Sequence, residues 1–163
     1  MAKNKEEKTN VMRVLEQKKI AYTAHTYPHE EGVAVDGVTV AKSMGFDPAI
    51  VFKTLVARGA SKQYYVFDVP VAENLDLKKA AKAVGEKSIE MIHQKELLPL
   101  TGYVHGGCSP VGMKKLFPTV FHSSAENLAA MIVSAGKIGY QVELAPRDLA
   151  ALVRAKFADI IVE

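Results

Sequence analysis

Lys53 stands inside Ile50-Val51-Phe52-Lys53-Thr54-Leu55-Val56-Ala57, an apolar run rich in β-branched residues. On a strand, Val51, Lys53 and Leu55 share one face, and Phe52, Thr54 and Val56 share the other. An ammonium on such a face is costly unless it meets water, an anion or a ligand. Two uses fit. One is an edge-strand lysine that blocks aggregation or snorkels to water. The other is a lysine set in a pocket to hold a carbonyl or a phosphate. The second chemical signal is Gly102–Lys115, where Gly102, Gly106, Gly107 and Gly112 surround Pro110. Glycine admits positive φ and close backbone approach, and proline fixes φ. A loop of this kind presents N–H groups, which can cradle a phosphate, a carboxylate or a developing oxyanion. The same residue types also make a tight hairpin or Ω connection.

Other reactive side chains are sparse. His25 and His29 fall on a strand and a turn, where their spacing does not converge. No Cys or His pair has a zinc spacing, so neither a metal site nor a cofactor is expected. His105 and Cys108 form a weak nucleophilic pair, because such pairs need a third orienting group. The alternative for Cys108 is a small buried thiol. Lys78, Lys79 and Lys82 fall along one side of a helix, and Lys114 and Lys115 follow the glycine loop directly. Together with Lys137 they could track a phosphate backbone, or the first three could be a solvated helix face. Tyr64 and Tyr65 read as hairpin packing.

The positioning elements follow from period and punctuation. Helices are expected from Asn10 to about Lys19, over Asp36–Met44, over Leu77–Val84 behind an Asp76 cap, and from Pro146 to about Lys156. Glu96–Leu100 suggests one helical turn. Strands are expected over Ile20–Tyr27, Ile50–Ala57, Gln63–Val69, Ile89–Ile92, Thr119–His122, Met131–Ser134 and Gln141–Leu144. The second and third form a hairpin around Gly59–Lys62. Strands that come as hairpins between helices predict an α+β fold, with a mixed, largely antiparallel sheet curled toward a barrel.

The 163 residues, 48% hydrophobic and 24% charged, suit one compact domain over 1–163, with residues 1–8 as a flexible tail. No apolar run approaches the roughly 18 residues of a membrane span. The polar start lacks a signal-peptide core, and the lone Cys108 excludes an internal disulfide, so a cytoplasmic setting is expected. A net charge of +3 requires no nucleic acid but permits one through a local patch.

Four ordered blocks resemble the YbaK/EbsC proteins. They are Val51–Leu55, Pro70–Lys79, Thr101–Lys115 and Ala155–Ile160, in a likeness running from about Val11 to Ile161. These proteins are stand-alone relatives of the editing insertion in bacterial prolyl-tRNA synthetases. The resemblance implies a partial barrel flanked by helices and clearance of Cys-tRNA(Pro), with Cys-tRNA(Cys) as a further substrate. It also implies that the substrate's own thiol attacks the ester and leaves as a cyclic thioester. The implied partners are tRNA for proline and, transiently, prolyl-tRNA synthetase, with no membrane. Carried over by position, Lys53 is the essential lysine, and Gly106 and Pro110 belong to a Gly-x-x-x-Pro loop. The loop's N–H groups around Gly106, Gly107 and Ser109 would face the ester oxygen. Tyr27 is an aromatic beside the pocket, and Thr54 and Ser134 line it. Gln141 stands where relatives carry Asp, and Cys108 where an aliphatic residue is usual. Two alternatives stay open: removal of alanine instead of cysteine, and a non-catalytic module that binds aminoacyl or nucleotide ends.

Overall fold

The computed structural model describes residues 8–163. The tail expected over residues 1–8 therefore lies, apart from Lys8, outside the described residues. Helix α1 (Asn10–Gln17) is capped by Thr9, whose hydroxyl accepts from the Met12 N–H, and it buries Val11, Met12 and Leu15. Lys19 turns left-handed and the Ile20 N–H donates back to the Leu15 carbonyl. That closure delays the expected strand, which pairs only as β1 (Thr23–Thr26).

Helix α2 (Gly37–Met44) starts at the Asp36 carboxylate, which accepts from the Thr39 N–H, and stops at left-handed Gly45. A short 3-10 turn at Pro48–Ile50 leads into β2 (Phe52–Gly59), which turns back as β3 (Tyr64–Pro70). Helix α3 (Leu77–Val84) lies between an Asp76 cap and Gly85. After β4 (Ile89–Met91) comes α4 (Gln94–Thr101), longer than the single turn expected. The Glu96 carboxylate reaches back to the His93 N–H and holds its first turn.

Beyond the glycine loop follow β5 (Thr119–His122), β6 (Met131–Ser134) and β7 (Tyr140–Leu144). Helix α5 (Pro146–Val153) stops short of Lys156 because Arg154 turns left-handed at φ 57°. The chain then enters β8 (Lys156–Ala158), a strand absent from the sequence reading.

One sheet has the order β4-β2-β3-β5-β8 and the other β1-β7-β6. Pairing is antiparallel except at β3–β5 and β5–β8, which are parallel. A parallel bridge between Val51 and Ile132 joins the two sheets. The result is an α+β fold with a curled, unclosed sheet. Leu55, Ala57, Phe67 and Val69 face Ala80 and Ala81 of α3. On the opposite side Val56 and Val66 meet Cys108 and Phe117. Alternate residues of the hairpin thus serve two separate cores, as strand geometry requires.

Candidate active site

The start of β2 opens into a cavity of about 240 Å³. Its lining joins parts distant in sequence. Lys53 and Thr54 come from β2, Ser134 and Gln141 from the paired strands β6 and β7, and Tyr27 from the end of the β1 segment. Asp36 and Val40 come from α2, and His105, Gly106 and Cys108 from the glycine loop. The cavity wraps the strand end, so both Lys53 and Thr54 reach it.

Lys53 is half-buried. Burial pulls its pKa below the usual lysine range, opposed by the negative charges of Asp36 and Glu73. Asp36 itself is held below the usual carboxylate range, first by the Thr39 hydroxyl, 2.6 Å away, and then by the Thr39 N–H. The lysine thus has counter-charge to one side and an apolar cavity on the other. This is the geometry of a group that awaits an anion or a polarised carbonyl.

The glycine loop approaches as closely as it does because it lacks side chains. A Cβ on Gly106, where φ is +91°, would sit 2.7 Å from the Ala34 Cβ. A Cβ on Gly107 would lie 3.1 Å from the Ile138 nitrogen and 3.3 Å from the Lys137 backbone. The loop is thus pressed against the β6–β7 turn. The Gly107 N–H donates to the Val104 carbonyl and the Val111 N–H to the Ser109 hydroxyl. Neither donor is available to a ligand. The Gly106 and Cys108 N–H groups meet no acceptor among the described residues.

Across the cavity, Ser134 and Gln141 are register partners. The Ser134 hydroxyl accepts from the Gly136 N–H at 3.1 Å, which leaves its own hydrogen to donate. The Gln141 Oε1 is buried without a partner among the described residues. The Tyr27 N–H donates to the Gly139 carbonyl at 3.0 Å and its ring is buried, which raises the pKa of the phenol.

Of the residues singled out from sequence, Lys53, Gly106, Tyr27, Thr54, Ser134 and Gln141 meet in one cavity. Gly107, Ser109 and Pro110 lie behind it; Ser109 is fully buried and braces the loop. The lysines do not share one role. Lys78, with Lys82 and Lys87, lines a second cavity of about 520 Å³ on α3. Lys79 turns away from both to hold Asp159 at 3.1 Å, Glu163 at 3.3 Å and the Ile161 carbonyl. Of the three helix lysines, Lys79 is thus engaged in ion pairs while Lys78 and Lys82 line the second cavity. Lys114 donates to the Pro99 carbonyl, Lys115 lies over the Phe117 ring, and Lys137 lies over Tyr140. His25 is committed to Glu143 at 2.7 Å.

His105 and Cys108 both border the cavity, but the thiol is a poor nucleophile. Burial, and next the Asp68 charge, push its pKa up to about 12. The thiolate, the reactive form, is thus suppressed.

Two carboxylates were missed in the sequence reading. Asp36 was visible only as a helix start. Asp68 sits mid-strand between Phe67 and Val69, and the hairpin register sets it opposite Thr54. The available signal was the turn at Gly59–Lys62, which fixes that register.

A half-buried cation, free backbone donors and a polar strand pair around a small apolar cavity define a pocket that binds and polarises an acyl group. It holds no activated nucleophile of its own. The sequence model of the aminoacyl-tRNA editing domain matches residues 32–152, and the chain belongs to that family. Editing of aminoacyl-tRNA is deacylation, so the protein is an aminoacyl-tRNA deacylase in class. It is 46% identical over 161 residues, 98% of each chain, to an Enterococcus faecalis (strain ATCC 700802 / V583) protein. That protein carries the provisional name Cys-tRNA(Pro)/Cys-tRNA(Cys) deacylase EbsC. Two solved structures share the fold. One, described only as a hypothetical protein, superposes with a TM-score of 0.82 at 19% identity over 93% of this chain and 99% of that one. The other is described, provisionally, as a trans-editing enzyme for prolyl tRNA synthetase. Its TM-score is 0.79 at 24% identity, over 94% of this chain and 95% of that one.

Proposed function

We propose that the protein clears cysteine mischarged onto tRNA for proline, with Cys-tRNA(Cys) as a further substrate. The substrate thiol does the attacking. The observation that carries this reading is the cavity itself: it faces Lys53 toward a donor-bearing glycine loop, yet its one thiol is held protonated. An aminoacyl ester is already activated, so orientation and oxyanion stabilisation suffice. The Gly106 and Cys108 N–H groups face the ester oxygen, and Lys53 anchors the terminal nucleotide's phosphate or polarises the carbonyl. The unpartnered Gln141 Oε1 is an acceptor for the substrate's ammonium. The 46% identity to a protein named for this substrate supports the same choice.

Such a second site is needed because cysteine and proline differ by little in an apolar synthetase pocket, about 1–3 kcal/mol. With so mild a net charge, tRNA selection falls to a transient complex with prolyl-tRNA synthetase.

The test is a deacylation panel with Cys-, Ala-, Ser- and Pro-charged tRNA, run with and without that synthetase. Turnover is expected with the cysteine ester alone, since the others lack a thiol. Equal turnover of the alanine ester would show that the thiol does not attack. Binding without turnover of any ester would reduce the protein to a recognition module.

A further inference from the structure

The Thr54–Asp68 pair has no place in the chemistry derived so far. Asp68 is fully buried on β3, directly across the hairpin from Thr54. The Thr54 hydroxyl donates to Asp68 Oδ1 at 2.5 Å, while Oδ2 has no partner among the described residues. A lone carboxylate in such a place is expensive, and threonine or valine would build the same strand without it. Thr54 borders the cavity and Asp68 does not. With its hydrogen turned back toward Asp68, the Thr54 oxygen offers only lone pairs to whatever fills the cavity. The pair is thus a proton path from the cavity to a buried base.

We propose that Asp68, acting through the Thr54 hydroxyl, takes up the proton that the substrate's cysteine thiol must lose before it attacks its own ester. This rests on the thiol mechanism above. The need is real, because the thiolate is the nucleophile and a free thiol, with a pKa of about 8.5, is mostly protonated at neutral pH. In the step, the S–H proton passes to the Thr54 oxygen as the threonine's own proton passes to Asp68 Oδ1. Sulfur bonds to the carbonyl carbon, and the bond from that carbon to the ribose oxygen breaks. The proton returns along Thr54 to the ribose oxygen, leaving a cyclic thioester and a free tRNA hydroxyl. Nothing is oxidised or reduced, and Asp68 ends as it began.

Burial raises Asp68 to about 7, opposed by the Thr54 hydrogen bond, which matches a base working near neutral pH. The groups that face it are few. Thr54 approaches from β2, the Cys108 thiol from the glycine loop, and Phe121 is its register partner on β5. Cys108 stays protonated throughout the range in question. The other titratable groups that line the cavity are Tyr27, Asp36, Lys53 and His105.

The experiment measures kcat and KM for Cys-tRNA deacylation against pH in the wild type, Asp68→Asn, Thr54→Val and Thr54→Ser. In the wild type, kcat is expected to fall as pH drops through about 7, where Asp68 becomes protonated. Asp68→Asn should lower kcat by about 10²-fold or more, with KM little changed, and abolish that acid limb. Thr54→Val should match it, Thr54→Ser should recover most of the activity, and the Thr54→Val/Asp68→Asn double variant should be no slower than either alone. If Asp68→Asn does not fold, the Val and Ser variants at the more exposed Thr54 decide the matter. Wild-type kcat in Thr54→Val, or an Asp68→Asn variant that keeps the acid limb, overturns the relay. A wild type inert on Cys-tRNA instead strikes down the deacylation reading itself.

Discussion

Lys53 and Cys108 are the two cavity side chains that a chemist would suspect first, and their surroundings assign them opposite fates. The ammonium sits between the charges of Asp36 and Glu73 and an apolar hollow, set to meet a substrate's negative charge or carbonyl. Lys53→Ala is expected to cut Cys-tRNA deacylation by about 10²–10³-fold, the usual effect of losing one oxyanion-type stabiliser. The thiol is buried and protonated, so Cys108→Ala should keep activity near wild type in the same assay. An inactive Cys108→Ala protein that still folds would point to an enzyme nucleophile. Lys53 was legible in the sequence because a charge interrupting an apolar run has few innocent explanations. Asp68 was not, because its partner lies across a hairpin and its isolation is visible only when the surrounding cores are assembled. Ser109 was expected to contribute through the loop's N–H groups; its hydroxyl accepts from the Val111 N–H and braces the loop.

The glycine loop shows how elements place these groups. Gly106 takes a positive φ and lies against Ala34, so an added methyl suffers both backbone strain and a 2.7 Å contact. Gly106→Ala is therefore expected to cost about 1–3 kcal/mol of stability, read from a urea midpoint. It should also slow deacylation more than that loss explains, because the free N–H groups move with the loop. An alanine variant with normal kcat would separate the loop from the chemistry. Helix ends were easy to find: Asp36, Asp76, Gly45 and Gly85 cap them as local rules require. Strand β8 was hidden because Arg154, not glycine, makes the left-handed turn before it. Its three residues become a strand only by pairing with β5, a partner more than thirty residues earlier. The reading of a largely antiparallel sheet rested on hairpins, and the two parallel pairings lie where no hairpin connects the strands.

Across the whole molecule, the buried Asp68 couples stability to pH. Its pKa rises from 3.8 to about 7 on folding, so the folded state binds the proton more tightly than the unfolded one. Between those values stability contributed by this group is present at the acid end and lost as pH rises, up to about 4 kcal/mol in all. Asp68→Asn removes that slope. Its stability relative to wild type, measured by urea unfolding, should climb from near zero at about pH 4 to its plateau by about pH 8. Other shifted groups cancel in the difference, and a flat difference would mean that Asp68 titrates as it does in water.

The Val51–Ile132 bridge is the isolated backbone link between the two sheets among the described residues, and the cavity opens beside it. Lys53 and Thr54 hang from one sheet, Ser134 and Gln141 from the other. A guest that touches both pairs spans the two sheets, which also share the buried core around Phe52, Phe121, Met131 and Val142. A guest held from both sides binds only the folded arrangement, so filling the cavity also fastens the two sheets together and resists unfolding.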